Sequence, residues 1–217
     1  MSDAKDDDVP DISTARLARR HFLFGTGAAA AAAATEVGCE VGPPRGPLAG
    51  GGQVFGPGKV SVSIAVNGQA KRVDVEPRTT LAEALRGELA LTGTKVVCDR
   101  GACSACTVWL DGVPVNSCSM FALDAAGRRV TTIEGLARGD GLHPVQQAFI
   151  DHDAMQCGFC TPGMIMSCAA LLARNASPSL DDVKAATSGN LCRCGTYPKV
   201  FEATLAAAGA PATKGRT

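Results

Sequence analysis

Aromatic side chains are scarce in this 217-residue chain, with one tryptophan, one tyrosine and seven phenylalanines, or 4% of the sequence. Single-stranded nucleic acid is held by stacking bases on aromatic platforms, and there is little here to stack on. Net charge is missing too: lysine plus arginine and aspartate plus glutamate both number 21. A chain so balanced carries no basic footprint for nucleic acid or for an anionic membrane surface. Only three histidines are present, without shared spacing, and they read as structural or surface residues. No acid–base constellation or substrate-pocket signature is visible. The one loose dinucleotide fingerprint, "GTGAAA" at 25–30, has no strand before it and no βαβ unit after it. Partners should therefore be recognised by shape. What the chain has in quantity is cysteine, ten in all.

The N-terminal stretch "LARRHFLFGTGAAAAAAA" places Arg19-Arg20 before Phe22-Leu23 and a soft alanine run ending at Ala34. It reads as a twin-arginine signal over 1–34, for export of folded protein to the periplasm. Its apolar run is too short and too alanine-rich to hold in a bilayer, so no membrane anchor is expected. Residues 35–58 are rich in Gly, Pro and small residues and form a linker. Cys39 lies in it, but Glu36 stands where a lipoprotein signal wants a large apolar residue.

From Val60 the pattern alternates. "KVSVSIAVNGQAKRVDVE" puts Val60, Val62, Ile64, Val66, Val73 and Val75 on one face around Asn67-Gly68, a strong hairpin signal. "TTLAEALRGEL" reads as a helix capped by Thr79 or Thr80, with Leu81, Leu85 and Leu89 on one side. A second hairpin turns at Asp111-Gly112, and "RRVTTIE" makes a last strand. Residues 59–136 thus form a small mixed α+β sheet domain. From about Leu142 helical periods take over. Pro144, Thr161 with Pro162, Ser179 with Asp182, and Thr196 open four short helices, with Gly189 stopping the third. These suggest a compact antiparallel bundle over 137–209, followed by a tail at 210–217.

The cysteines fall into two quartets. Cys98, Cys103 and Cys106 are spaced C-x4-C-x2-C, with Cys118 following from another segment, the plant-type arrangement for a 2Fe–2S cluster. Zinc or two disulfides are the alternative occupants. Gly101 suits close backbone approach to an inorganic sulfide. In the second half Cys157 and Cys160 precede one helix, and Cys192 and Cys194 precede another. Residues two apart in an extended segment share a side, so the C-x-C pair is expected to serve one iron and the C-x2-C pair the other. Helix N-termini favour the anionic sulfur cage. Cys168, mid-helix among apolar residues, reads as core.

With "TGTKVVCDRGACSACTV", "MQCGFCTPGM" and "SGNLCRCGTY" read together, residues 60 to about 208 resemble the iron–sulfur subunit of the molybdenum hydroxylases. With the twin-arginine leader, the likeness is nearest to the small subunit of bacterial periplasmic aldehyde oxidoreductase. The resemblance implies a ferredoxin-like β-grasp domain followed by a four-helix domain, each with one 2Fe–2S cluster. It implies Cys98, Cys103, Cys106 and Cys118 as ligands of the first, and Cys157, Cys160, Cys192 and Cys194 as ligands of the second. It places Gln156 against the pterin of the molybdenum cofactor and links Cys194 to the pterin amino group. It implies electron relay from a molybdenum-cofactor large subunit to a FAD-binding medium subunit or an external acceptor, with an aldehyde or N-heterocycle as substrate. A free-standing periplasmic 2Fe–2S carrier or redox sensor is the alternative function. Two departures stand out: Ser104 replaces a usual glycine and is expected to hydrogen-bond to sulfur, and "CRCGTY" replaces the commoner "CRCTGY".

Overall fold

Two turns build the sheet. Asn67 and Gly68, at φ 51° and 80°, join β1 (Val60–Val66) to β2 (Gln69–Val75) as an antiparallel hairpin. Asp111 and Gly112, at φ 52° and 84°, do the same for β3 (Thr107–Leu110) and β4 (Val113–Asn116). Left-handed conformations at both central positions match the twist of the flanking strands. β5 (Arg129–Thr131) lies between the hairpins, parallel to β1 and antiparallel to β3, giving the order β2-β1-β5-β3-β4. The computed structural model describes residues 55–209 apart from 138 and 140. The export leader, most of the linker and the tail expected from the sequence lie outside the described residues.

The alternating residues point as the period requires. Val62, Ile64, Val66, Val73, Val75, Val108, Leu110 and Val130 are buried on one face against Leu81 and Leu85. Each large side chain so buried stabilises the fold by about 1.5–3 kcal/mol relative to exposure. Leu81 comes from α1 (Leu81–Glu83), whose N-cap Thr80 exchanges hydrogen bonds with Glu83 in a capping box, and Leu85 from the turn that follows it. The helix expected to run on to Leu89 instead widens into a π turn over Ala84–Glu88, closed by Leu89 N–H donating to Ala84 O at 3.1 Å.

Four helices follow: α2 (Pro144–Asp151), α3 (Thr161–Arg174), α4 (Leu180–Thr187) and α5 (Tyr197–Ala208). Pro144 opens α2 behind His143, whose Nδ1 accepts from Val145 N–H. Ser179 and Asp182 form the expected capping box on α4. Thr161, expected as a cap, is instead the first residue of α3, and the cap position falls to Cys160 without a side-chain bond. Thr196 holds the cap position of α5 but makes no capping bond either. At Thr196 the cause is local: its hydroxyl lies on Cys192 Sγ instead of a helix amide.

α3 is buried along most of its length, from Met164 to Leu171, because it is covered on two sides. α2 and α5 bring Val145, Phe149, Val200 and Ala203 to one side of it. The sheet half meets the other, where the single Trp109, on β3, donates from Nε1 to Met166 O at 2.9 Å. The described residues accordingly fall in one unit, an α+β arrangement of a mixed sheet followed by helices. Among the described residues no helix is long and apolar enough to cross a membrane.

Candidate metal centres

The first quartet sits on a loop that cannot be regular. Asp99, Gly101 and Ser104 all take left-handed φ, at 53°, 70° and 52°. Successive residues of alternating hand turn neighbouring N–H groups toward one point, a concavity suited to anions and to sulfur cages. Gly101 N–H donates to Cys118 Sγ and Ala102 N–H to Cys98 Sγ, both at 3.3 Å. Gly101 is needed twice over: for its φ, and because a Cβ there would meet Ser119 Oγ at 2.8 Å. Its carbonyl is held by Asn116 Nδ2 at 3.0 Å. Cys118 arrives from the turn after β4 and packs with Cys106, Ala82 and Val96.

The thiols face each other in twos. Cys98 meets Cys103. The Arg100 amide, then the Cys103 thiol and the Ala102 and Cys103 amides, outweigh burial and bring the Cys98 thiol down from 9.0 to about 7. Cys106 meets Cys118, and burial above all, with that facing thiol, pushes Cys106 up to about 11. Donors stabilise a thiolate; enclosure among apolar groups penalises it.

In the second quartet Cys157 and Cys160 lie before α3, and Cys192 and Cys194 before α5. Cys160 faces Cys192, and Cys157 faces Cys194, so each pair is built across the two segments. Gly158, between Cys157 and Cys160, and Gly195, just after Cys194, are left-handed at φ 84° and 78°. Burial, then the facing Cys192, raises the Cys160 thiol to about 12. At Cys192 burial pulls upward, but the Thr196 hydroxyl and amide, the Cys160 thiol and the Cys194 amide bring it down to about 7. The Cys157 amide favours ionised Cys194, yet the opposed Cys157 thiol and burial leave its pKa raised. Cys168, by contrast, is enclosed in the core as expected, its thiol raised to about 11 by burial with the Thr204 hydroxyl opposing.

The two quartets touch through the main chain. Leu191 N–H donates to Cys103 O at 3.0 Å, and Asn190 Nδ2 donates to Ser104 O at 3.1 Å. Ser104 is therefore a junction. Its carbonyl carries that bond, while its hydroxyl faces Gly189, and no bond joins it to a described thiol. Tyr197, which sequence reading passed over, braces the junction. Its hydroxyl accepts from Cys192 N–H at 2.8 Å and donates to Asn190 O at 3.1 Å. Its place three residues after a Cys-x-Cys pair was the available signal. A cavity of about 410 Å³ opens between the quartets, lined by Val97, Phe159, Leu191 and Tyr197 with Cys103, Cys160 and Cys192.

This chemistry fits two 2Fe–2S clusters. Each iron takes two protein thiolates, and the eight thiols stand in four facing pairs. Among the described residues no three His, Cys, Asp or Glu side chains converge as on a single metal ion. All nine described cysteines are free thiols. Gln156 is exposed beside the exposed Cys157, and Cys194 is exposed as well.

Comparison with known proteins agrees with this geometry. Residues 64–132 match the family described as 2Fe-2S iron-sulfur cluster binding domain, and 132–205 the [2Fe-2S] binding domain family. The chain is 46% identical over 151 residues to the nicotine 6-hydroxylase small subunit of Paenarthrobacter nicotinovorans, covering 70% of this chain and 91% of that one. It is 42% identical over 163 residues to the aldehyde oxidoreductase iron-sulfur-binding subunit of Escherichia coli K12, covering 68% and 71%. Among solved structures, quinoline 2-oxidoreductase from Pseudomonas putida 86 superposes with a TM-score of 0.67 at 43% identity, covering 69% of this chain and 94% of that chain. The aldehyde oxidoreductase of Desulfovibrio desulfuricans gives 0.66 at 45% identity, covering 68% of this chain and 17% of that far longer one.

Proposed function

The chain belongs to the 2Fe–2S small subunits of the molybdenum hydroxylase family, and on that premise we propose how its own residues serve electron transfer within such an oxidoreductase. Cys98 with Cys103 and Cys106 with Cys118 hold the first cluster; Cys160 with Cys192 and Cys157 with Cys194 hold the second. When bound, the two clusters supply two one-electron stations in sequence. The observation that carries the reading is the junction between them, Leu191 N–H on Cys103 O at 3.0 Å. It connects the ligand segments of both quartets through a few covalent bonds and one hydrogen bond.

The two ends of the relay differ in exposure, which assigns direction. Cys157 and Cys194 are exposed and are bordered by Gln156, Met155, Phe159 and Leu191, all exposed as well. An apolar surface around a redox site is suited to burial in a partner, here the molybdenum-cofactor subunit. Gln156 has an amide that both donates and accepts, so it can match a pterin edge bearing both kinds of group. The first cluster, held by the Cys98 loop, passes electrons on to a FAD subunit or an external acceptor. The substrate class is an aldehyde or an aromatic N-heterocycle, as the names of the relatives describe for them. The finer architecture in this reading is a β-grasp sheet followed by a four-helix bundle, supported by the strand order β2-β1-β5-β3-β4. Residues 1–34 export the folded protein to the periplasm.

Electron paramagnetic resonance of the reduced complex tests the assignment. Two distinct signals are expected, and Cys192→Ser should remove one and spare the other. One signal integrating to a single spin after full reduction would refute it.

A further inference from the structure

Thr196 occupies the cap position of α5, is only 5% exposed, and makes no capping bond. Its hydroxyl goes instead to a sulfur: Thr196 Oγ1 lies 3.1 Å from Cys192 Sγ. Among the described residues no other hydroxyl is bonded to a thiol of the second quartet. A thiolate has no proton to give, so with Cys192 ionised the hydroxyl is the donor. The contact is held from both sides. Gly195 at φ 78° turns the chain so that Thr196 folds back over Cys192. Tyr197, the next residue, pins the Cys192 amide at 2.8 Å. Cys192 is half-buried, where a charge-assisted hydrogen bond is weakened less by water than at the open surface.

We propose that Thr196 sets the reduction potential of the second cluster, its hydroxyl donating to the Cys192 thiolate and making that cluster easier to reduce. The inference rests on the assignment of Cys192 as a ligand. Reduction adds one electron and no proton, so negative charge on the ligand sulfurs rises while the hydroxyl hydrogen stays on Oγ1. A donor fixed on one of those sulfurs stabilises the more negative state more than the less negative one. Thr196 is a positioning and tuning residue and holds no metal itself. Because its hydroxyl caps nothing, Thr196→Val removes the donor while keeping the shape and leaving the helix terminus as it was.

The test is a dithionite-poised redox titration of the assembled complex, followed by electron paramagnetic resonance. In Thr196→Val the second signal's midpoint should fall by about a tenfold change in its one-electron equilibrium, about 59 mV, while the first signal's midpoint stays in place. Thr196→Ser should restore most of the difference, and Thr196→Ala should behave as the valine variant does. In deuterated buffer the second signal should show an exchangeable deuteron coupling that is weakened in Thr196→Val, where only the backbone amides remain on Cys192, and restored in Thr196→Ser. A valine variant with both signals at wild-type midpoints would overturn the inference alone. Midpoints that fall together in both clusters would also overturn it, pointing to general loosening. A wild-type complex lacking the second signal would overturn the ligand assignment beneath it.

Discussion

At the scale of single residues, the cysteines are not equivalent, and the differences come from geometry rather than from sequence neighbours. Cys98 is surrounded by loop amides and Cys192 by the Thr196 hydroxyl and amide, and both thiols are brought down to about 7. Cys106, Cys160 and Cys168 are enclosed among apolar groups and stand at about 11 to 12. A thiol whose pKa falls from 9.0 to about 7 is half ionised at pH 7, and its thiolate fraction is lost as the pH drops below that point. Lower basicity costs some nucleophilicity, so the net gain in reactivity over an ordinary thiol is roughly fivefold. In apoprotein prepared anaerobically, a short iodoacetamide pulse at pH 7.5 should label Cys98 and Cys192 first and leave Cys106, Cys160 and Cys168 nearly unmodified, as read by peptide mass spectrometry. Uniform labelling would show that the loops lose this geometry without the clusters.

At the scale of elements, the contact that matters most is the start of α3 on the first cysteine loop. A Cβ at Gly163 would collide with Ser104 O and lie 3.1 Å from Ala105 Cα, both main-chain atoms. Neither can rotate away, so Gly163→Ala has to push helix and loop apart, at about 1–3 kcal/mol. For a chain this size that lowers the melting temperature by several degrees, and it disturbs the first cluster's signal because Cys103 and Cys106 flank the displaced residues. Gly189→Ala is the internal control. Its Cβ would meet only the end of the Ser104 side chain, at 3.3 Å, and a small change is expected. Equal effects of the two substitutions, measured by thermal unfolding, would remove Gly163 from this role. The same elements show where sequence reading succeeds. Both hairpin turns, the Thr80 cap, the Ser179–Asp182 box and the start of α2 at Pro144 are local signals, carried by residues within four positions of each other, and they appear where expected. The cross-segment thiol pairing, the π turn after α1 and the seat of Gly163 on Ser104 O depend on segments far apart in the chain. No local period encodes them. Thr196 lies between: a threonine before a helix reads as a cap, and only the curl at Gly195 sends its hydroxyl to sulfur.

At the scale of the whole molecule, the four facing thiol pairs create a problem for any chain bound for an oxidising compartment. Opposed thiols there oxidise to disulfides, whereas the cytoplasm keeps them reduced. Clusters installed before export occupy the pairs and remove that hazard, which requires a route for folded protein. We propose that Arg19 and Arg20, with the soft apolar run to Ala34, supply the signal for such a route. The expected outcome follows. Changing both arginines to lysine should strand the subunit in the cytoplasm together with any partner that has no leader of its own, with activity kept in whole-cell lysate. Redirecting residues 35–217 to a route for unfolded chains should instead deliver periplasmic protein without colour and with its thiols oxidised. Cell fractionation, visible absorbance and thiol counting read all three quantities. Arrival of the lysine variant in the periplasm, fully loaded with iron, would mean that residues 1–34 do not act as this export signal.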